Sequence, residues 1–217
     1  MGYQVHVLFD GYSSMNDSEM KANCSCTLIK GNKNIIVDTM TPWDRDRIIE
    51  GLSRHNLSPD KIDYLVCTHC HSDHVGNNNL FLNAKHIVGF SISSKDTYFI
   101  HPFETGEPYV IDDDIKVIPT PGHTLADVTV VVKTKDQGTV AITGDLFEKE
   151  EDIDNPHLWS HVAGSDDPEI QRQNRNRILS SVDWIVPGHG PMFKVTEKMK
   201  ERSKDVLHHS DCNFHYI

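Results

Sequence analysis

The apolar positions of this chain fall into short runs with two different periods. Tyr3–Phe9, Cys24–Lys30 and Asn34–Asp38 are rich in Val, Ile and Leu and read as early strands. Ile62–Thr68 follows. Its centre, Tyr64-Leu65-Val66-Cys67, is too continuously apolar for a strand wetted on one side, so burial on both faces is expected. Lys85–Phe90, Ile115–Pro119, Val128–Lys133, Thr139–Thr143 and Trp184–Val186 complete the predicted strands. Two segments switch to helical spacing. After Thr41-Pro42-Trp43-Asp44, a threonine cap with proline and an acid behind it, Ile48, Ile49 and Leu52 form a stripe that ends near Asn56. After Asp167-Pro168-Glu169, a second helix is predicted to carry Ile170, Ile178, Leu179 and Val182 inward. The tail from Thr196 reads as a third helix. Gly11–Lys21 and Glu148–Pro168 are polar and read as loops.

Composition narrows the class. A chain of 217 residues, 37% hydrophobic and 24% charged, is expected to form one globular domain over residues 1–217. Its net charge of −11 argues against a dedicated DNA-binding module, which needs a basic footprint. The charge is uneven: Glu148–Pro168 sets seven acids against Lys149 alone, whereas Glu169–Asp205 carries eight bases against five acids. No apolar run approaches the ~20 residues of a membrane helix, and Met1-Gly2-Tyr3-Gln4 does not open a secretory signal. The expectation is a soluble cytoplasmic protein, with the nucleus as an alternative and no membrane partner.

Five cysteines are an odd count and suggest reduced thiols, not a disulfide framework. Cys24 and Cys26 should share one face of a strand. Cys67-Thr68-His69-Cys70 invites a zinc-ribbon or redox reading, but no second cysteine pair follows at a suitable distance. Cys67 is therefore expected within the strand. Cys70 should point away from the histidines on either side of it.

Of fourteen histidines, five sit in short Gly- or Asp-rich motifs that carry the chemistry; the other nine are scattered and read as surface or packing residues. Where the buried strand 62–68 ends, Thr68-His69-Cys70-His71-Ser72-Asp73-His74 gathers three imidazoles and a carboxylate within six residues. Those donors suit Zn²⁺, Fe or Mn²⁺. Three further loops repeat the design, each just past the carboxyl end of a strand and beside a glycine: Pro121-Gly122-His123, Gly144-Asp145 and Pro187-Gly188-His189. Sites on α/β folds collect at such strand ends. One Pro-Gly-His alone is usually a turn, but four such loops in this order form a specific signal.

The order His-x-His-x-Asp-His, Gly-His, Gly-Asp, Gly-His resembles the metallo-β-lactamase superfamily over nearly the whole chain, including Ile36-Val37-Asp38-Thr39. The resemblance implies an α+β fold, a four-layer αββα sandwich, with two metal ions between the sheet edges. By motif, His69, His71 and His123 would hold the first ion, Asp73, His74 and His189 the second, and Asp145 both. Asp38 would support the ligand loop from behind, with an ordinary strand-end cap as its alternative. Imidazole at His71 looks more like zinc hydrolases than redox di-iron relatives, which carry a carboxylate there. Two Zn²⁺ per chain are expected, with Fe or Mn as alternatives. Such a pair supplies a bridging hydroxide at neutral pH and polarises the bond to be broken, while Asp73 orients that hydroxide.

Gly144-Asp145-Leu146-Phe147-Glu148, the Trp159-containing acidic loop, and Asp183 through Val195 are similar to a compact animal branch near the glyoxalase II-like hydrolases. This implies a metal-dependent endoribonuclease acting on histone pre-mRNA. RNA would need cations beside the metals, and Arg172, Arg175 and Lys194 are the leading candidates. Two alternatives stay open: a small-molecule ester or thioester hydrolase of glyoxalase II type, and a mononuclear iron persulfide dioxygenase. A homodimer is also left open. Trp159 and His161 either line the pocket mouth or pack on the domain.

Overall fold

A computed structural model describes residues 2–201. In chain order the strands of the first half are β1 (Gln4–Phe9), β2 (Tyr12–Met15), β3 (Met20–Asn23), β4 (Cys26–Lys30), β5 (Ile35–Val37), β6 (Tyr64–Cys67), β7 (Lys85–Val88), β8 (Ser91–Ser94) and β9 (Thr97–Phe99), with helix α1 (Arg45–Ser53) between β5 and β6. The second half holds β10 (Tyr109–Val110), β11 (Ile115–Pro119), β12 (Val128–Lys133), β13 (Thr139–Gly144), helix α2 (Pro168–Ser181), β14 (Trp184–Pro187) and β15 (Phe193–Lys194). One sheet has the order β1-β4-β5-β6-β7-β8-β9 and the other β10-β11-β12-β13-β14-β15, so each is built from one contiguous half of the chain.

Period-two alternation explains the layering. Ile29, Ile35, Val37, Val66 and Ile87 of the first sheet interdigitate with Val117, Val130, Val132, Val140, Ile142 and Val186 of the second. The residues between them face outward. Leu28, Ile36, Leu65 and Cys67 pack with Ile48 and Leu52 of α1, and Ala141 and Ile185 pack with Ile178 and Leu179 of α2. This is the expected αββα arrangement, and Leu65, Val66 and Cys67 are buried on both sides as anticipated.

Several expectations need correction. Gly11–Lys21 is not an irregular loop: most of it forms the antiparallel hairpin β2–β3, and Met20–Asn23 separates from the predicted Cys24–Lys30 strand. Ile170 lies in the first turn of α2 and is 37% exposed, outside the inward stripe. The helix predicted from Thr196 begins over 197–201, and its remainder falls outside the described residues. The Thr41 start is a capping box with Asp44 on a short 3-10 turn that leads into α1. Cys24 and Cys26 share the α1-side core, and Cys70 is exposed and free.

Candidate metal centre

The second sheet's parallel pair and the first sheet's β5–β6 pair end at the same edge of the sandwich. All seven ligand-type side chains of the sequence pattern meet there. In one group, His69 Nε2 lies 2.9 Å from His71 Nδ1, which lies 3.1 Å from His123 Nε2. Asp145 Oδ2 is 3.4 Å from His123 Nε2 and 3.5 Å from His69 Nε2. Four donors about 2.0–2.1 Å from a shared tetrahedral centre would stand about 3.3 Å apart, so these edges fit an ion of that size. A second group is wider. His74 Nε2 is 3.3 Å from Asp145 Oδ1 and 4.0 Å from Asp73 Oδ2; His189 Nε2 is 3.3 Å from Asp145 Oδ2 and 3.8 Å from Asp73 Oδ2. Asp145 thus touches both groups.

Three of the rings are aimed by what their other nitrogen touches. His123 Nδ1 donates to the carbonyl of Gly164 at 3.0 Å, and His189 Nδ1 donates to the carbonyl of Asn23 at 3.1 Å. His74 Nδ1 lies 3.0 Å from Asp38 Oδ2. Asp38 also accepts from the Thr68 amide at 2.8 Å, so it holds the loop as well as the ring. Its backbone adopts a φ of 59°, an uncommon conformation that turns the carboxylate back toward Thr68 and His74. Glycine is required where the loops crowd. A Cβ on Gly188 would overlap Asp145 Oδ1, and one on Gly122, at φ 148°, would strike the backbone of Gln171.

Electrostatics follow from crowding imidazoles and carboxylates in a dry space. Burial, reinforced by neighbouring His74, holds His69 well below the usual histidine range, and burial with His123 lowers His71. Burial acts against the charged forms of His74 and His189. The Asp145 carboxylate overrides it, keeping His74 well above its usual range and lifting His189 to about 9. Asp145 itself is held well down by His74, His189 and His69 despite its burial.

Four further residues contribute, none of them assigned a role from the sequence. Glu148 is buried, with Oε2 4.0 Å from His189 Nε2, and burial plus the Asp145 charge push it up to about 8. Asp127 accepts from the Thr124 amide at 2.7 Å and from its hydroxyl at 2.6 Å, fastening the His123 loop, and burial pushes it up to about 7. Asn23 and Gly164 act through their carbonyls.

The expected cationic flank is not where the sequence reading placed it. Arg175 is buried and paired with Asp152, its guanidinium lying over the rings of Phe147 and Trp159 at 4.1 and 4.9 Å. Trp159 therefore packs on the domain, while His161 is exposed and stacked on His157. Lys194 pairs with Trp184, at the end of β14 remote from His189, about 10 Å along the strand from Pro187. Arg172 is engaged by Glu169 at 2.6 Å, although its Nη1 is buried without a partner. The acidic loop is also less charged toward solvent than its composition suggests, because Glu148 and Asp152 are interior.

The chain is similar to several known proteins. It is 41% identical over 196 residues to metallo-beta-lactamase domain-containing protein 1 of Xenopus laevis, covering 89% of this chain and 82% of that one. It is 38% identical over 175 residues to the protein of the same name from Mus musculus, covering 80% of this chain but 65% of that one. Among solved structures, a metallo-beta-lactamase from Thermotoga maritima superposes with a TM-score of 0.66 at 21% identity, covering 89% and 100%. An N-acyl homoserine lactone hydrolase, with N-hexanoyl-L-homoserine at its catalytic metal centre, superposes at 0.60 with 16% identity, covering 92% and 95%. Residues 21–189, which contain all four loops and every donor in them, match the Metallo-beta-lactamase superfamily, and the chain belongs to that family of metal-dependent hydrolases.

Proposed function

We propose that this chain is a dinuclear metal-dependent hydrolase that cleaves RNA phosphodiester bonds. One observation carries the metal reading. Asp73 Oδ2, His74 Nε2 and Asp145 Oδ1 are buried at one centre and none makes a well-directed hydrogen bond, although the last two face each other at 3.3 Å. Each such atom costs about 1–3 kcal/mol when left unsatisfied, and the donor set of imidazole nitrogens and carboxylate oxygens suits divalent ions. Two ions held there would supply hydroxide at neutral pH and polarise the oxygen of the scissile group. His69, His71 and His123 offer nitrogen to one position, Asp73, His74 and His189 serve the other, and Asp145 spans both. Asp73, with 16% of its side chain exposed, is positioned to orient the attacking water from the solvent side.

The RNA assignment rests on the resemblance carried by Gly144–Glu148 and Asp183–Val195. With Arg175 internal and Lys194 remote, a strand would be held at the scissile phosphate and few others, with Arg172 the remaining candidate cation. A small ester, lactone or thioester is the second reading. It is favoured by the same shortage of cations and by the fold likeness to a lactone hydrolase. The test compares a short RNA with an acyl homoserine lactone and a thioester, using Asp145→Asn as the control for contaminating nuclease. RNA cleavage lost on chelation and in Asp145→Asn is expected, with a log–log salt slope of about −1 from one or two phosphates. Intact RNA beside rapid lactone or thioester hydrolysis replaces the first reading with the second.

A further inference from the structure

We propose that Gln171 is a positioning residue for the metal centre: through the main-chain carbonyl of Asp145 it sets that carboxylate against His123. This rests on the metal-centre reading above. Gln171 ends the first turn of α2 and is fully buried, and its Nε2 donates to the Asp145 carbonyl at 3.1 Å. Among the described residues it is the one side chain outside the donor set that hydrogen-bonds to Asp145. The bond fixes the peptide plane that follows Asp145, and with it the direction in which its Cα sends the carboxylate.

The choice of glutamine points the same way. A carbonyl only accepts, so the amide has one orientation, nitrogen toward Asp145 and oxygen away. That oxygen is buried without a hydrogen-bond partner. A half-satisfied amide is a costly filling for an interior position that leucine or methionine would pack without stranding a polar atom. The donation to Asp145 accounts for it. A neutral donor also suits the place, because lysine would set a cation beside the ions and an ionised glutamate could not donate.

The same segment grips the His123 loop. The amides of Asp166 and Asp167 donate to the His123 and Gly122 carbonyls at 3.1 and 3.0 Å, and Asn174 Nδ2 donates to the Pro121 carbonyl at 2.7 Å. One turn beyond Gln171, Arg175 holds the Leu146 carbonyl at 2.6 Å. There is no slack between the loops, since the Gln171 Cα lies 2.3 Å from where a Cβ on Gly122 would stand. Helix α2 and its lead-in thus hold Asp145 and His123, two donors of one group, in a single frame. His74 and His189 take their aim elsewhere, from Asp38 and the Asn23 carbonyl. Loosening Gln171 should therefore disturb the His69–His71–His123–Asp145 position more than the other.

The experiment loads metal-free full-length chain with Co²⁺ and follows binding against a competing chelator, together with the visible absorption spectrum of the bound ions. Circular dichroism verifies that each variant is folded. Gln171→Met keeps most of the volume and removes the donor. Ile178→Val loosens the buried face of the same helix without touching Asp145. The wild-type chain should hold two ions. Gln171→Met should release one about 10–100-fold more readily and alter the spectrum, and the ion that stays should have the spectrum of His123→Ala, not of His189→Ala. Gln171→Asn, its amide drawn back by one methylene, should fall between, and it carries the comparison alone if the methionine variant does not fold. Ile178→Val should bind as the wild type does. Wild-type affinity and spectrum in the Gln171 variants overturn the proposal. So do equal loss of both ions, earlier loss of the His74–His189 ion, or the same release from Ile178→Val, which would make Gln171 a packing residue only. A wild-type chain that holds fewer than two ions overturns the metal-centre reading on which the proposal stands.

Discussion

Replacing Arg175 by methionine separates two accounts of the same residue. On the structure, Arg175 belongs to the interior: its guanidinium donates to the Leu146 carbonyl at 2.6 Å, pairs with both oxygens of Asp152, and covers Phe147 and Trp159. Methionine keeps much of the packing volume but leaves Asp152 buried and unpaired. Removing one partner of such a pair costs about 3–5 kcal/mol. For a chain of this size each kcal/mol shifts Tm by about 2–4 °C, so a fall of roughly 6–20 °C is expected by scanning calorimetry at fixed metal concentration. Adding Asp152→Asn removes the stranded charge while leaving an oxygen for the Glu148 amide, and the double variant should regain part of the loss. The reasoning is refuted if Arg175→Met melts within about 1 °C of the wild type. It is refuted most directly if that variant keeps its stability and loses RNA binding, because Arg175 would then face substrate.

Asp145→Asn should lower occupancy of both metal positions, while His123→Ala and His189→Ala should each empty mainly one, read by elemental analysis. Indistinguishable losses in the two histidine variants would dissolve the division between the groups. Gly188→Ala should drive Asp145 aside, with metal content and hydrolysis falling together; full metal content would mean the loop yields easily. Asp44 bears on pH. Burial opposes its ionisation, but hydrogen bonds from Thr41, Asn23 and Arg47 hold it below the usual aspartate range. Its contribution is therefore present above the unfolded pKa of about 3.9 and is lost as pH falls through the lowered folded value. Urea melts of Asp44→Asn should show a smaller loss of stability between about pH 5 and 3 than the wild type, and identical slopes would remove Asp44 from this role.

The strands that pack on both faces were legible because continuous apolar runs leave little choice, and the four loops were legible because donor, glycine and strand end coincide in each. Hairpin β2–β3 escaped because Tyr12–Met15 and Met20–Asn23 are short, polar and mostly exposed. Glu148 was hidden by its company, one acid among seven in a segment read as a polar loop. Asn23 and Gly164 act through carbonyls, which every residue type possesses, so no inspection of side chains would select them. Arg175 is different, because its position could have been read. It lies three, four and seven residues before Ile178, Leu179 and Val182, on the very stripe that α2 buries. Counting it toward a basic surface gave its charge more weight than its register.

Each sheet comes from one half of the chain, yet the donors do not respect that division. His69, His71, Asp73 and His74 follow the first sheet, whereas His123, Asp145 and His189 follow the second. Ions seated among them would act as rivets through a seam, tying the halves together by bonds that form only when both are present. Between the halves, Ile100 projects fully into solvent, a natural place to cut. Two fragments divided there should recombine far better with divalent metal than with chelator, so the same ions that serve hydrolysis would make reassembly of the severed chain a reporter of metal supply.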